Sequence, residues 1–278
     1  MSTLQTETPA HLYYLHVTSE KPDKLAEFYQ NQLSLEATVT GDIHVLRGGA
    51  RSVLISHGPS GELHYAAYAV GDATALDTLQ RRLTSRGVIL NPLTSPLYQN
   101  DGFTVTDPDG RKIAFGVATA INSTDREPAR LQHTVFQTTQ LESVVRFYVE
   151  QIGFTISDEV VGDNGKIMTV FMRSSDEHHS LAFFRGANNA WDHHCYETNE
   201  WNDIRDWGDK FAKKRIPIFF GPGRHGPGNN LFFMVTDPDG NRLEFSAELQ
   251  HVSHEVAPGI WPHEEYTLNS WGRAWIRS

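Results

Sequence analysis

The sequence predicts an α+β protein in which one scaffold is used twice, and three observations lead there. Two stretches, LHVTSEKPDKLAEFYQ from Leu15 and HTVFQTTQLESVVRFY from His133, align through Phe28-Tyr29 and Phe147-Tyr148, 119 residues apart. Two TDPDG boxes, Thr106–Gly110 and Thr236–Gly240, recur 130 residues apart, so a modest insertion separates two copies of about 120 residues. Each copy also reads strand, helix, several strands and then the same order again. Four strand–helix–strands units of the form βαβββ, two per domain, therefore make two domains in which helices lie beside mixed sheets.

The second copy carries the clearest element signals. His133–Gln137 alternates as a short strand, and Thr139-Gln140-Leu141-Glu142 has the spacing of a capping box that opens a helix. Leu141, Val144, Val145 and Tyr148 fall on one face of that helix, and Gly153 supplies its stop. Strand-rich runs follow at Ile167–Arg173, Ser180–Phe184 and His194–Thr198. A second helix begins near Asn199 and places Ile204, Trp207 and Phe211 at helical spacing. Asp237-Pro238-Asp239-Gly240 is a tight turn between strands Leu231–Thr236 and Arg242–Ala247. In the first copy Ala75–Arg86 is the matching second helix. The domains are expected at residues 8–118 and 131–250, with a polar, proline-bearing linker at 119–130 and a tail at 251–278.

Composition narrows the function classes. A chain of 278 residues with 11% aromatics and no low-complexity run can bury a substantial core. No apolar stretch is long enough to span a membrane, and the opening MSTLQTETPA lacks the basic and apolar regions of a secretory signal. One cysteine cannot close an internal disulfide, so a reducing cytoplasm is the expected location. A net charge of −10 without a long basic run argues against nucleic acid as a partner. The anomaly is 14 histidines against that single cysteine.

Within the second copy His133, His179, His194 and His225 sit on strands or strand edges, with Glu244 on the last strand. Taken singly, each histidine reads as an ordinary strand residue, and Glu244 beside Arg242 reads as a solvated one. Together, two imidazoles and one carboxylate from separate strands can share one metal face and leave positions open, an arrangement suited to non-haem Fe(II).

The segments LQHTVF, HHSLAF, DHHCYET, GPGRHGPGNN and DPDGNRLEF occur in that order. Through them the chain, from about residue 10 to 250, resembles the type I extradiol ring-cleavage dioxygenases of the vicinal oxygen chelate superfamily. The resemblance implies metal ligands at His133, His194 and Glu244, separated by 61 and 50 residues. It also implies an acid–base histidine at His179 and a substrate-orienting histidine at His225. Fe(II), or Mn(II) on the same ligands, is the implied cofactor, and a small aromatic diol with O2 the implied substrates. A homo-oligomer is expected. Alternation along the strands is expected to turn His178 and His193 away from the site, and Cys195 to point away from the metal.

The first copy serves as an internal control. Tyr14 aligns with His133, Ala114 with Glu244, and Tyr65 with His194 to within one residue. The scaffold is kept there and the ligands are not, as in two-domain extradiol enzymes whose C-terminal domain alone holds iron. One departure stands out: nine residues after His225, where the family carries a substrate-bonding tyrosine, this chain has Met234. A thioether cannot donate that hydrogen bond, which makes Tyr196 a candidate replacement. Val135, Phe171 and Ala182 match pocket-wall positions of the family. The tryptophan-rich tail, with Trp261, Trp271 and Trp275 and basic Arg273 and Arg277, is expected to pack at a subunit interface rather than cover the pocket mouth. The competing readings are a metal-dependent isomerase or transferase, or a ligand-binding resistance protein, on the same scaffold.

Overall fold

The computed structural model describes residues 7–120, 127–253 and 256–276; half of the expected linker and Arg277 lie outside the described residues. The first copy contributes β1 (Ala10–Ser19), β2 (Glu36–Thr40), β3 (Ile43–Gly48), β4 (Arg51–His57), β5 (Glu62–Val70), β6 (Asn91–Leu93), β7 (Gly102–Thr106) and β8 (Lys112–Val117). Its helices are α1 (Pro22–Leu33) and α2 (Ala73–Ser85). These strands form one sheet in the order β2-β3-β4-β1-β5-β8-β7-β6. The order is a mirror of itself about the β1–β5 pair, because each βαβββ unit runs its last strand parallel beside its first. Pro22 at the first turn suits α1, since that position has no intrahelical N–H to lose. Asp72 caps α2 by accepting from the Ala75 amide at 2.8 Å.

The second copy repeats the plan with β9 (Arg130–Thr138), β10 (Thr155–Val161), β11 (Ile167–Arg173), β12 (Leu181–Arg185), β13 (Ala190–Glu197), β14 (Phe220–Arg224), β15 (Leu231–Thr236) and β16 (Arg242–Ala247). Its helices are α3 (Leu141–Arg146), continued as a π-helical turn over Phe147–Ile152, and α4 (Trp201–Lys213). The tail adds β17 (Gly259–Pro262) and the short α5 (Glu265–Leu268). Sheet order is β14-β15-β16-β13-β9-β12-β11-β10-β17, again symmetric about the first strands of the two units. The α+β class and the doubled βαβββ architecture are therefore as the repeats predicted.

One local expectation is corrected. The capping box at Thr139 does not form: Gln140 is the N-cap without a side-chain bond, Thr139 is bound by Asn189, and Glu142 pairs instead with Arg185. A reciprocal box does form one helix later, between Glu200 and Asp203 at the start of α4. The apolar faces are as read, with Leu141, Val144 and Tyr148 buried on the first helix and Ile204, Trp207 and Phe211 on α4. Both TDPDG boxes close as turns whose glycines sit at φ of 86° and 84°, a backbone region that a Cβ disfavours.

The helices pack on one side of each sheet, and the two copies share one apolar core there. The other faces of the sheets differ. In the first copy Tyr14, Tyr65 and Tyr98 fill that face: the Tyr14 hydroxyl bonds those of Tyr65 and Ser95, while Tyr98 packs edge-on against Tyr14 and donates to the Tyr68 carbonyl. In the second copy the equivalent face carries histidines and a carboxylate. Among the described residues no helix is long and apolar enough to cross a membrane.

Candidate metal and substrate site

Strand register decides which side chains meet. Cys195 on β13 pairs directly with His133 on β9 and with Glu244 on β16, so these three share one face. Because successive side chains alternate, His193 shares that face and His194 does not. The geometry follows: His193 Nε2 lies 3.2 Å and His133 Nε2 3.8 Å from the same Glu244 oxygen, Oε2. All three side chains are buried.

The placement of His194 at the metal position is thereby corrected. His194 pairs with Thr134 and Leu243 and points into the core beneath the sheet. There it stacks on Trp191 at 5.1 Å and lies 3.3 Å from the hydroxyl of Tyr29, which reaches it from α1 of the first copy. Burial, and then the neighbouring His193 and His133, push its pKa down to about 3, so the ring is neutral packing material. The one-residue slip arose because an HH pair offers two candidates and the strand was expected to begin at His194 rather than Ala190. With His193 the separations become 60 and 51 residues, and Tyr65 of the first copy becomes its counterpart.

Outer partners orient the inner ones. His133 Nδ1 lies 2.6 Å from Gln132 Oε1, and His193 Nδ1 2.5 Å from Asp192 Oδ1. Each ring donates an Nδ1 proton to an oxygen, so Nε2 is the nitrogen turned toward Glu244: it donates to the carboxylate while it carries a proton, and would offer a lone pair to a metal that displaced that proton. The other carboxylate oxygen, Oε1, accepts from Asn230 Nδ2 at 3.2 Å and lies 3.6 Å from His225 Nε2. Burial alone would raise the Glu244 pKa, but hydrogen bonds from His133, His193 and His225 hold it well below the ordinary range. Burial likewise opposes protonation of His193, yet Asp192 and Glu244 carry its pKa upward. His133 and His179 are pushed down, chiefly by burial. Crowding of imidazoles around one anion is the pattern expected of a site built for a second, positive charge.

Cys195 also stands on this face, and its sulfur lies within 4.8 Å of ligand atoms of His133 and Glu244. The expectation that it points away from the site is therefore corrected. It is still a poor ligand: burial pushes the thiol well up, and Sγ is engaged with Ser246 Oγ at 3.0 Å. The set His133, His193 and Glu244 suits a divalent metal better, with two neutral imidazoles, one carboxylate and an open side toward a cavity.

That cavity is lined by the four histidines at 133, 179, 193 and 225, by Glu244, and by an apolar wall. Val135, Phe171 and Met234 stand in the wall, while Ala182 sits in register between Val135 and Phe171 and does not line it. Tyr196 is not available to substrate. It lies on the core face of β13 with His194, fully buried against Phe245. Phe184 and Pro227, which carry no sequence signal of their own, complete the wall.

The tail does more than pack. β17 extends the sheet beside β10, and Thr267 and Leu268 of α5 line the cavity. The carbonyl of Leu268 accepts from His225 Nδ1 at 2.5 Å, and that of Thr267 accepts from the Gly226 amide at 2.9 Å. Trp275 packs under Arg242 and against Phe219 rather than projecting outward. Part of the tail thus stands at the cavity, where the sequence favoured packing at an interface.

Residues 130–245 match the family model described as the Glyoxalase/Bleomycin resistance protein/Dioxygenase superfamily. The chain is 28% identical over 223 residues to Metapyrocatechase 2 of Cupriavidus necator, spanning 70% of this chain and 67% of that one. In fold it is similar to homoprotocatechuate 2,3-dioxygenase from Arthrobacter globiformis, with TM-score 0.84, 23% identity, and 99% and 91% of the two chains covered. It is also similar to the Mn(II)-bound glyoxalase from Novosphingobium aromaticivorans, with TM-score 0.83, 22% identity, and 96% and 91% covered.

Proposed function

From the premise that the second half of the chain is a domain of the Glyoxalase/Bleomycin resistance protein/Dioxygenase superfamily, we propose that this enzyme is an extradiol dioxygenase. It opens the ring of a neutral catechol with O2, using a divalent metal held by His133, His193 and Glu244. The observation that carries the reading is the convergence of both Nε2 atoms on one Glu244 oxygen at 3.2 and 3.8 Å, facing an apolar cavity. Fe(II) is the metal we favour, and Mn(II) suits the same ligands. The similarity to Metapyrocatechase 2 supports the reaction class, whereas the likeness to a glyoxalase is one of fold.

When bound, the metal supplies open positions for two substrate oxygens and for O2 and lets electrons pass between them. The chain's own residues do the rest. Gln132 and Asp192 fix the tautomers of His133 and His193, so both lone pairs are presented together. Val135, Phe171, Phe184 and Leu268 seat an aromatic ring and keep water from it. His179, on the cavity wall, is placed to take a proton from the substrate hydroxyl and to give it back to the oxygen-derived anion on the way to the ring-opened product, in which both oxygen atoms are kept. His225, its Nδ1 proton donated to Leu268, keeps Nε2 for hydrogen bonding the substrate oxygen. Met234 contributes shape and no proton. Among the described residues no lysine or arginine lines the cavity, which is why a neutral catechol suits it better than a carboxylated one.

The test is direct. Protein loaded anaerobically with Fe(II) and mixed with an alkyl- or aryl-substituted catechol in oxygenated buffer is expected to consume one O2 per ring and to form a yellow ring-fission product. Bound iron with no oxygen uptake across a catechol panel would refute the proposal. Sedimentation or light scattering of the same preparation tests the homo-oligomer, which we keep as part of this reading.

A further inference from the structure

The match to the superfamily model ends at residue 245, yet part of the cavity wall comes from beyond it. Thr267 and Leu268, on α5 of the tail, line the cavity together with the residues of the metal face. Leu268 is 6% exposed and belongs to one apolar cluster with Val135, Phe171 and Phe184.

The seat of this segment is built into the glycines of GPGRHGPGNN. A Cβ on Gly223 would run into the Asn269 side chain. One on Gly226 would stand 2.7 Å from the Trp261 ring and 3.0 Å from the Thr267 carbonyl. Backbone bonds flank Leu268 on both sides: the Gly226 amide donates to Thr267 at 2.9 Å, and the Ser270 amide to Arg224 at 2.8 Å. The main chain at Leu268 is thus fixed, and its side chain can change without unseating the segment.

His225 gives the scale of the gap. Its Nε2 lies 3.6 Å from Glu244 Oε1, and its Nδ1 lies 2.5 Å from the Leu268 carbonyl. One imidazole with a contact at each end therefore reaches from the carboxylate of the metal face to Leu268. An aromatic ring lying beside it, its hydroxyl oxygens toward that face, meets the tail with its far edge. Only about 30 Å³ of the cavity is free space, so a substituent on that edge presses on the apolar end formed by Phe171, Phe184 and Leu268.

We infer that Leu268 is a specificity-determining residue, whose side chain limits the size of the substituent a ring-hydroxylated substrate can carry. The site thereby favours catechols with a short alkyl group over those with a second ring. The inference rests on the dioxygenase reading for the kind of molecule bound, and not for its turnover.

Binding rather than turnover tests it. Protein loaded with Zn(II), which takes imidazole and carboxylate ligands and passes no electrons to O2, is titrated calorimetrically with 3-methylcatechol and with biphenyl-2,3-diol. Wild type is expected to bind the methyl compound at least about tenfold more tightly. A single methylene in an apolar pocket is worth about 10–200-fold, and Leu268→Ala removes three carbons. That variant is expected to narrow the ratio at least about tenfold by strengthening biaryl binding. Leu268→Met, of similar volume, is expected to keep the ratio. An unchanged ratio in Leu268→Ala, or equal weakening of both diols, would overturn the proposal, because Leu268 would then only pack the tail. Equal binding of the two diols by wild type would overturn it as well. Failure of the dioxygenase reading looks different: with Fe(II) in place of Zn(II), the ranking of the diols would hold while no O2 was consumed. Binding of neither diol would refute both readings.

Discussion

Alanine at His193 and, separately, at His194 distinguishes the two faces of β13. His194 is fully buried, stacked on Trp191 at 5.1 Å, and bonded to Tyr29, whose hydroxyl also has Asp237 at 3.3 Å. Removing its ring leaves a cavity in the shared core and costs about 3 kcal/mol. In a chain of this size that lowers Tm by roughly 6–12 °C, at about 2–4 °C per kcal/mol. The metal face is untouched, so His194→Ala is expected to bind iron and to gain stability from it. His193→Ala removes a nitrogen 3.2 Å from Glu244 Oε2 and leaves His133 and Glu244 alone. Loss of an outer partner costs metal affinity about 10–100-fold, and loss of an inner ligand is expected to cost more. Calorimetry with and without Fe(II) reads both effects at once. A ligand present at 100 times its Kd adds about 2.7 kcal/mol, so wild type and His194→Ala are expected to shift upward with iron while His193→Ala does not. If His194→Ala lost the iron-induced shift and His193→Ala kept it, the register argument would be wrong.

Three further outcomes are expected. Asn230→Ala frees Glu244 Oε1 from its 3.2 Å bond and should weaken metal binding about 10–100-fold, read by competition with a chelator. Cys195→Ser keeps a polar contact to Ser246 and should leave iron content unchanged, because the thiol is not a ligand. His16, in the first copy, is pushed down to about 4 by burial and then by His64. Unfolded, it takes a proton near pH 6.5, so between these values the unfolded chain binds more protons and stability falls on acidification. The slope is about 1.4 kcal/mol per pH unit, and His16→Gln should lessen the loss between pH 6.5 and 5 by about 2 kcal/mol in denaturant titrations. An unchanged pH slope in that variant would count against the burial argument.

How much of this was legible without coordinates differs by kind of residue. The duplication and the strand–helix order were readable because repeats and turn boxes recur at fixed spacing, and His133 and Glu244 because the family resemblance points to them. The choice between His193 and His194 was not, since it depends on which strand residue begins the alternation, and β13 starts four residues earlier than its apolar content suggests. Gln132, Asp192 and Asn230 carry no pattern; only the distances to His133, His193 and Glu244 single them out. The reach of Leu268 to His225 was unreadable for another reason, because it is a backbone carbonyl brought over a long separation by β17.

Tyr29 ties the two copies together in a way that bears on their history. Its hydroxyl, on a helix of the first copy, meets the underside of the very strand that holds His193, while Tyr68 bonds the carbonyl of Ser180 next to His179. Arg51 of the first copy likewise donates to the carbonyl of Ala129, at the threshold of β9. Once each half came to finish the interior of the other, splitting the gene would strand buried hydroxyls, a guanidinium and open apolar faces on both products. The half that has Tyr14, Tyr65 and Ala114 in place of the candidate ligands thus serves as the floor beneath the sheet that carries them, and the two halves are not expected to fold apart.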